Sequence, residues 1–178
     1  TVQAPYGLKP VNLIGGQVFA GSTRTLPIAY AYASNIFYGD LVTLGTSAGN
    51  AGFVTLSATS TSLTSKGTIG VFLGCTYTNP TTKQKLFSQN YPGSVAAGDI
   101  QAIVCEDPDT VFKAALVTAS GSTTIASGSQ AIVGLNLAGS DLAGSATTGD
   151  SANGLVAPTA TPSTALPFRV LQLVPDTA

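Results

Sequence analysis

The apolar residues of this chain arrive in short bursts, among them Leu41-Val42-Thr43-Leu44, Phe53-Val54-Thr55-Leu56 and Ile100-Gln101-Ala102-Ile103-Val104-Cys105, and Gly, Asn, Ser or Asp separates one burst from the next. That spacing suits β-strands and does not sustain the three- and four-residue steps of an amphipathic helix. No burst approaches the roughly 18 apolar residues that a membrane-spanning helix needs. A chain of 178 residues patterned in this way is long enough for one domain with its own core, with or without an arm. The expected fold is all-β: a single, mostly antiparallel β-sandwich or β-barrel-like domain over residues 25–178, preceded by an extended N-terminal arm over residues 1–24.

Pro5, Gly7, Pro10, Gly15, Gly16 and Gly21 break up the arm, leaving room for two short strands at Val11-Asn12-Leu13-Ile14 and Gln17-Val18-Phe19. A segment with so little to pack against itself is expected to make its contacts with a partner, although the same residues also suit a first strand of the domain. Arg24–Tyr30 reads as an edge strand because Pro27 has no amide hydrogen to give. Gly39-Asp40 opens the Leu41–Leu44 strand, and Phe53–Leu56 returns across a loop holding Gly45, Gly49 and Gly52. Ser57–Lys66 is a polar loop. Thr68–Tyr77 is the strongest strand signal, with Gly70 and Gly74 marking a bend or the close approach of another backbone. Asn79–Thr82 turns the chain, and Lys83–Phe87 comes back beside it. A second Gly-Asp pair, Gly98-Asp99, leads into Ile100–Cys105; Glu106–Asp109 is a turn and Thr110–Val117 the next strand. From Ser120 to Ala165 small residues prevail, giving short strands and loops held by Ile125, Ile132, Val133, Leu135, Leu137, Leu142, Leu155 and Val156. Leu166–Val174 is expected to close a sheet as a terminal strand.

The chain has no histidine, tryptophan or methionine. Without histidine, every imidazole triad or dyad and most zinc sites are excluded. The only dense acidic group is Glu106, Asp107 and Asp109; it lacks the acidic spacing of a calcium loop, so a solvated turn is the first reading, with a cation site or an interface contact as alternatives. Neither Gly15-Gly16 nor Gly70–Gly74 forms a phosphate cradle. Lys83 and Lys85 either solubilise an edge strand or meet an acidic partner. No catalytic, cofactor-binding or metal site is assigned, and no cofactor is expected. Seven basic against eight acidic groups cannot neutralise many phosphates, so no nucleic-acid partner is expected, nor a membrane. Cys75 and Cys105 have apolar flanks that favour buried free thiols, with a disulfide as the alternative. No basic region and apolar run follow Thr1, so no signal peptide is visible. The aromatic and apolar residues best suited to an interface are Val11, Leu13, Ile14 and Phe19 in the arm, Tyr30 and Tyr38 in an aromatic cluster, and Phe87 and Tyr91 beside a Pro-Gly turn; each also has an ordinary core reading.

The strings Gly67-Thr68-Ile69-Gly70-Val71-Phe72-Leu73-Gly74-Cys75-Thr76-Tyr77-Thr78-Asn79-Pro80-Thr81-Thr82-Lys83-Gln84-Lys85, Asn90-Tyr91-Pro92-Gly93 and Glu106-Asp107-Pro108-Asp109-Thr110-Val111-Phe112 resemble a group of small head-region structural proteins of tailed bacteriophages, including marine phages. The resemblance runs from about Gly7 to Leu116, with a faint continuation at Pro167-Phe168-Arg169-Val170. It implies a non-enzymatic capsid decoration or cement protein. Its partners would be the major capsid protein of the same virus and further copies of itself, and its place the exterior of the capsid, after assembly in the cytoplasm of the host bacterium. The Gly/Ser/Thr-rich loops beyond Ser120 leave open a tail- or fibre-associated binding module. A hydrolase using Asp107 or Asp109 is a third class, for which no second convergent group stands out.

Overall fold

The computed structural model describes residues 4–57, 69–158 and 166–174. Thr1–Gln3 of the arm, most of the Ser57–Lys66 loop, Thr68 of the strong strand and the end of the small-residue stretch lie outside the described residues. The strands in chain order are β1 (Lys9–Leu13), β2 (Arg24–Pro27), β3 (Leu41–Leu44), β4 (Val54–Leu56), β5 (Gly70–Thr78), β6 (Lys85–Ser88), β7 (Gln101–Cys105), β8 (Thr110–Lys113), β9 (Leu116–Val117), β10 (Asn136–Leu137), β11 (Gly139–Ser140), β12 (Gly154–Val156) and β13 (Phe168–Arg169), with one turn of 3₁₀ helix at Gln130–Ile132. The architecture is all-β, predominantly antiparallel and sandwich-like, and none of its sheets closes into a barrel.

The main sheet runs β2-β7-β5-β3-β4, with β6 also beside β5. Its centre is β5, and β5 carries one extra residue. Phe72 pairs with Val104 and Gly74 with Ile103, so Leu73 is bulged out of register. Side chains alternate along a strand, so an extra residue reverses which parity faces the core. Before the bulge Phe72 points to one core; after it Cys75 and Tyr77 do. Their partners on β7, Val104 and Ala102, line the same core without any shift. Gly74 supplies the backbone freedom at this point, with φ of 147°. Gly70 has a different reason to lack a side chain: a Cβ there would run into the carbonyl of Cys105 and lie 2.8 Å from Cγ1 of Val104.

The two faces of the main sheet bury different things. One holds Phe72, Cys75, Tyr77, Val42, Val54, Ala102 and Val104, capped by Ile28, Ile36, Tyr91, Ala97 and Ile100 from the connecting segments. The other holds Leu41 and Val71 against Leu8, with Leu73, Phe112, Ala114 and Phe168 packed around them. Leu8 brings the N-terminal segment into this second core, and β1 pairs with β8. The stretch read as an arm is therefore joined to the body by both packing and a strand ladder as far as Leu13.

Several expectations hold at the level of single elements. The β3–β4 and β5–β6 hairpins form, β2 lies at the sheet edge and ends at Pro27, and the region after Ser120 is made of short strands and loops. Two need correction. The strand expected over Thr110–Val117 stops at Lys113; Leu116–Val117 joins another small sheet, where it runs parallel to β12. The terminal strand expected over Leu166–Val174 is only Phe168–Arg169, paired with β10. Both cysteines are free and buried. The ladder accounts for this, because Cys105 pairs with Val71 whereas Cys75 pairs with Ala102. At about 3.3 Å per residue that offset along the strands is beyond disulfide reach.

The register makes a paired prediction. Gly70→Ala places a methyl group in an occupied space and lowers stability by ~1–3 kcal/mol. Gly98→Ala, where nothing lies within 4 Å of the new Cβ, leaves it within about 0.5 kcal/mol. Urea midpoints of the two variants measure this; equal midpoints contradict the close approach of β5 and β7.

Candidate assembly surface

The segment from Lys9 to Phe19 folds as a hairpin. Gly15 and Gly16, with φ of 100° and 84°, make the left-handed turn at its tip. The Leu13 amide donates to the Gln17 carbonyl at 2.8 Å, and the Gly16 amide to the Leu13 carbonyl at 3.0 Å. Asn12 bridges Val18 in antiparallel fashion. The two short strands expected in the arm are thus the two legs of one hairpin. On its other side β1 pairs with β8, and the Ile14 amide donates to the Asp109 carbonyl at 2.8 Å.

The base of this hairpin is held firmly. The Gly7 amide donates to the Asn153 carbonyl and the Leu8 amide to the Gly39 carbonyl. The Lys9 ammonium sits 3.0 Å from an Asp150 carboxylate oxygen. It also lies 5.8 Å from the centre of the Tyr6 ring and 5.4 Å from that of Tyr38. Part of its charge is thereby directed at ring faces, an attraction of about 0.5–1 kcal/mol at a partly exposed site. Tyr38, half-buried, belongs to this clamp.

The tip and outer face are different. Between Pro10 and Thr23 there is no charged residue. A second bulge lies in β1, where Pro10 pairs with Phe112 and Asn12 with Val111, leaving Val11 as the extra residue. Val11 and Ile14 are more than half exposed, and Val18 is 80% exposed. Leu13 and Phe19 are half-buried. Three apolar side chains are thus brought to solvent on one anchored element. Val18 was not singled out from sequence; the signal for it was the Gly15-Gly16 pair, which reads as a hairpin turn once the flanking bursts are joined across it.

Phe87 and Tyr30 lie on other elements. Phe87, on β6, is 81% exposed, whereas its neighbour Leu86 packs on the main core. Among the described residues β6 pairs only with β5, so its outer edge is open. Tyr30 is exposed on a turn that continues into Ala31, whose φ is 51°. This turn is pinned to another: the Ala31 amide donates to the Val95 carbonyl and the Ser94 amide to the Tyr32 carbonyl.

Tyr91 is not a surface residue. It is fully buried in the main core, and its backbone exchanges hydrogen bonds with Ile36. Its hydroxyl donates to the Tyr32 carbonyl at 2.9 Å and accepts from the Val95 amide at 3.3 Å. Burial pushes its phenol pKa up. The Pro-Gly turn beside it left both an interface and a core reading open, and the core reading holds: the polar tip of Tyr91 is satisfied by backbone inside the protein.

The acidic turn is bonded within itself and to β2. The Asp109 amide donates to Asp107 Oδ1 at 2.9 Å, and Glu106 pairs with Arg24 at 3.1 Å. Among the described residues no group of three metal-ligating side chains converges. Burial pushes the Cys75 thiol up to about 12, so it is held as an unreactive thiol.

Truncations sort these residues. Val18→Ser and Phe87→Ser change stability by no more than about 0.5 kcal/mol, as surface positions do. Tyr91→Ala costs ~3–5 kcal/mol, and Tyr91→Phe about 1–3 kcal/mol through the backbone groups it leaves unpaired. Equilibrium denaturation separates the classes; a large loss at Val18 would place that side chain in the core. Comparison with known proteins gives no match to a family model, a curated protein or a solved structure.

Proposed function

We propose that this protein is a non-enzymatic structural component of a bacteriophage particle, decorating the outside of the capsid and holding neighbouring shell subunits together. The observation that carries the reading is the hairpin: an element without charge beyond Lys9, whose base is fixed in the body and whose Val11, Ile14 and Val18 side chains are exposed to solvent. Apolar side chains gathered on an anchored projection suit contact with another protein. Because the base is already ordered, docking gives up less conformational entropy than a free arm would. The resemblance of the Gly67–Lys85, Asn90–Gly93 and Glu106–Phe112 strings to phage head-region proteins supplies the kind of partner, the major capsid protein. Contacts that are individually weak add up when one bound assembly is held at several points on a shell. Phe87 and Tyr30 are secondary contacts, on the subunit or on further copies of this chain.

Deleting residues 1–16 is a poor test, because it removes Leu8 from the second core and β1 from β8. Substitution is cleaner. The triple variant Val11→Ser, Ile14→Ser, Val18→Ser is expected to stay folded by circular dichroism and to lose at least about tenfold in affinity for shells lacking this protein, since each apolar contact contributes on the order of 1 kcal/mol. Cosedimentation with such shells reads the loss. A folded triple variant that binds with wild-type affinity overturns the role given to the hairpin.

A further inference from the structure

Asp40 is almost wholly buried, at a point where four segments of chain meet. Gly39 bonds to Leu8 and to Phe72, Tyr38 bonds to Gly149 and Ser151, and the Phe72 amide donates to the Asp40 carbonyl. The Asp40 carboxylate accepts from the Phe37 amide at 2.7 Å and is hydrogen-bonded by the Ser151 side chain. Ser151 Oγ in turn accepts from the Asn153 amide at 3.0 Å, and Asn153 Oδ1 accepts from the Leu142 amide at 3.0 Å. This chain of bonds connects the carboxyl group to the segment that follows β11. Asp40 also borders a cavity of about 350 Å³ that Asp141, Leu142, Ala143 and Gly144 line as well. Two aspartates from different segments, Asp40 and Asp141, therefore line one cavity together with the apolar Phe37 and Leu56.

We propose that this cavity is an acid-tightened latch, in which protonation of Asp40 favours closure of the 141–144 segment on the 34–40 segment and ionisation of both carboxylates loosens it. Burial pushes the Asp40 carboxyl up to about 6, the hydrogen bonds from Ser151 and Phe37 oppose the shift, and Asp141 adds to it. Burial also raises Asp141. The other charges on the adjoining elements, Lys9 and Asp150, are taken up with each other at 3.0 Å. The sign follows from linkage. A carboxyl whose pKa is higher in the closed state than in water favours closure fully below its ordinary value of 3.8, and that advantage is lost as pH rises through about 6. The latch is independent of the reading of the hairpin as a docking element.

Amide hydrogen exchange on the intact protein tests the latch, with rates corrected for the intrinsic pH dependence of exchange. The amides to follow are Phe37, Leu142 and Asn153. Between pH 7.5 and pH 4.5 their protection should rise by roughly 20- to 40-fold, the linkage expected for this shift. Asp40→Asn, which keeps an acceptor for Phe37, should abolish the change. Asp141→Asn leaves every bond of Asp40 in place and should shrink the rise and move it to lower pH. Protection that does not rise on acidification, or a rise that survives in Asp40→Asn, overturns the latch. If Asp40→Asn does not fold, Asp141→Asn decides alone: an unchanged profile overturns the pairing across the cavity.

Discussion

The extra residue at Leu73 is the constraint on which the two-sided core depends. β5 is the central strand, and it must serve one core with Phe72, Cys75 and Tyr77 and the other with Val71 and Leu73. Strict alternation cannot do this, because Phe72 and Cys75 have opposite parity. The bulge resolves the conflict while β7 stays regular beside it. Removing it would turn Cys75 and Tyr77 away from Tyr91 and Ile100 and place Gly74 and Thr76 against them. Gly74 is the residue that can take the required backbone angle, and its missing Cβ also spares the Ser88 carbonyl on β6.

The second core follows from the first. With Val71 and Leu41 fixed on the far face of the sheet, Leu8 has a site to fill, and filling it draws the N-terminal segment over the body. From there Lys9, clamped by Asp150 and two tyrosine rings, sets the direction in which β1 leaves. The hairpin beyond it is thus presented by a fixed base. An extended arm making its contacts with a partner was the first expectation from Gly and Pro content, with a first strand of the domain as the alternative. The difference arises because Leu8 and β8 act on the segment through tertiary contacts that local composition does not encode.

Much of the β architecture was legible in the chain. Turn residues and period-two bursts marked the β3–β4 and β5–β6 hairpins and the edge position of β2, because those depend on neighbours in sequence. Less visible was anything set by distant partners. Thr110–Val117 looked like one strand, yet its two halves pair with β1 and β12, which come from opposite ends of the chain. Tyr91, beside Pro92-Gly93, suited an interface or the core, and the backbone of Tyr32 and Val95 satisfies its hydroxyl in the core. Val11 and Ile14, which are exposed, had been named as candidates from their apolar character in a segment poor in packing partners. Val18 was passed over because its leg of the hairpin was not joined to theirs. Asp40 was read only as half of a Gly-Asp strand entry, since nothing in sequence places Ser151 and Asp141 beside it.

The central claim is that a folded body presents an apolar hairpin to the shell of a virus particle. Cryo-electron microscopy of purified particles carrying this protein tests it most directly. The account predicts the chain on the outer surface of the capsid, at a copy number in proportion to the shell lattice, with Val11, Ile14 and Val18 of the hairpin against the major capsid protein. Particles that lack the chain, or that carry it only at the tail, would contradict it.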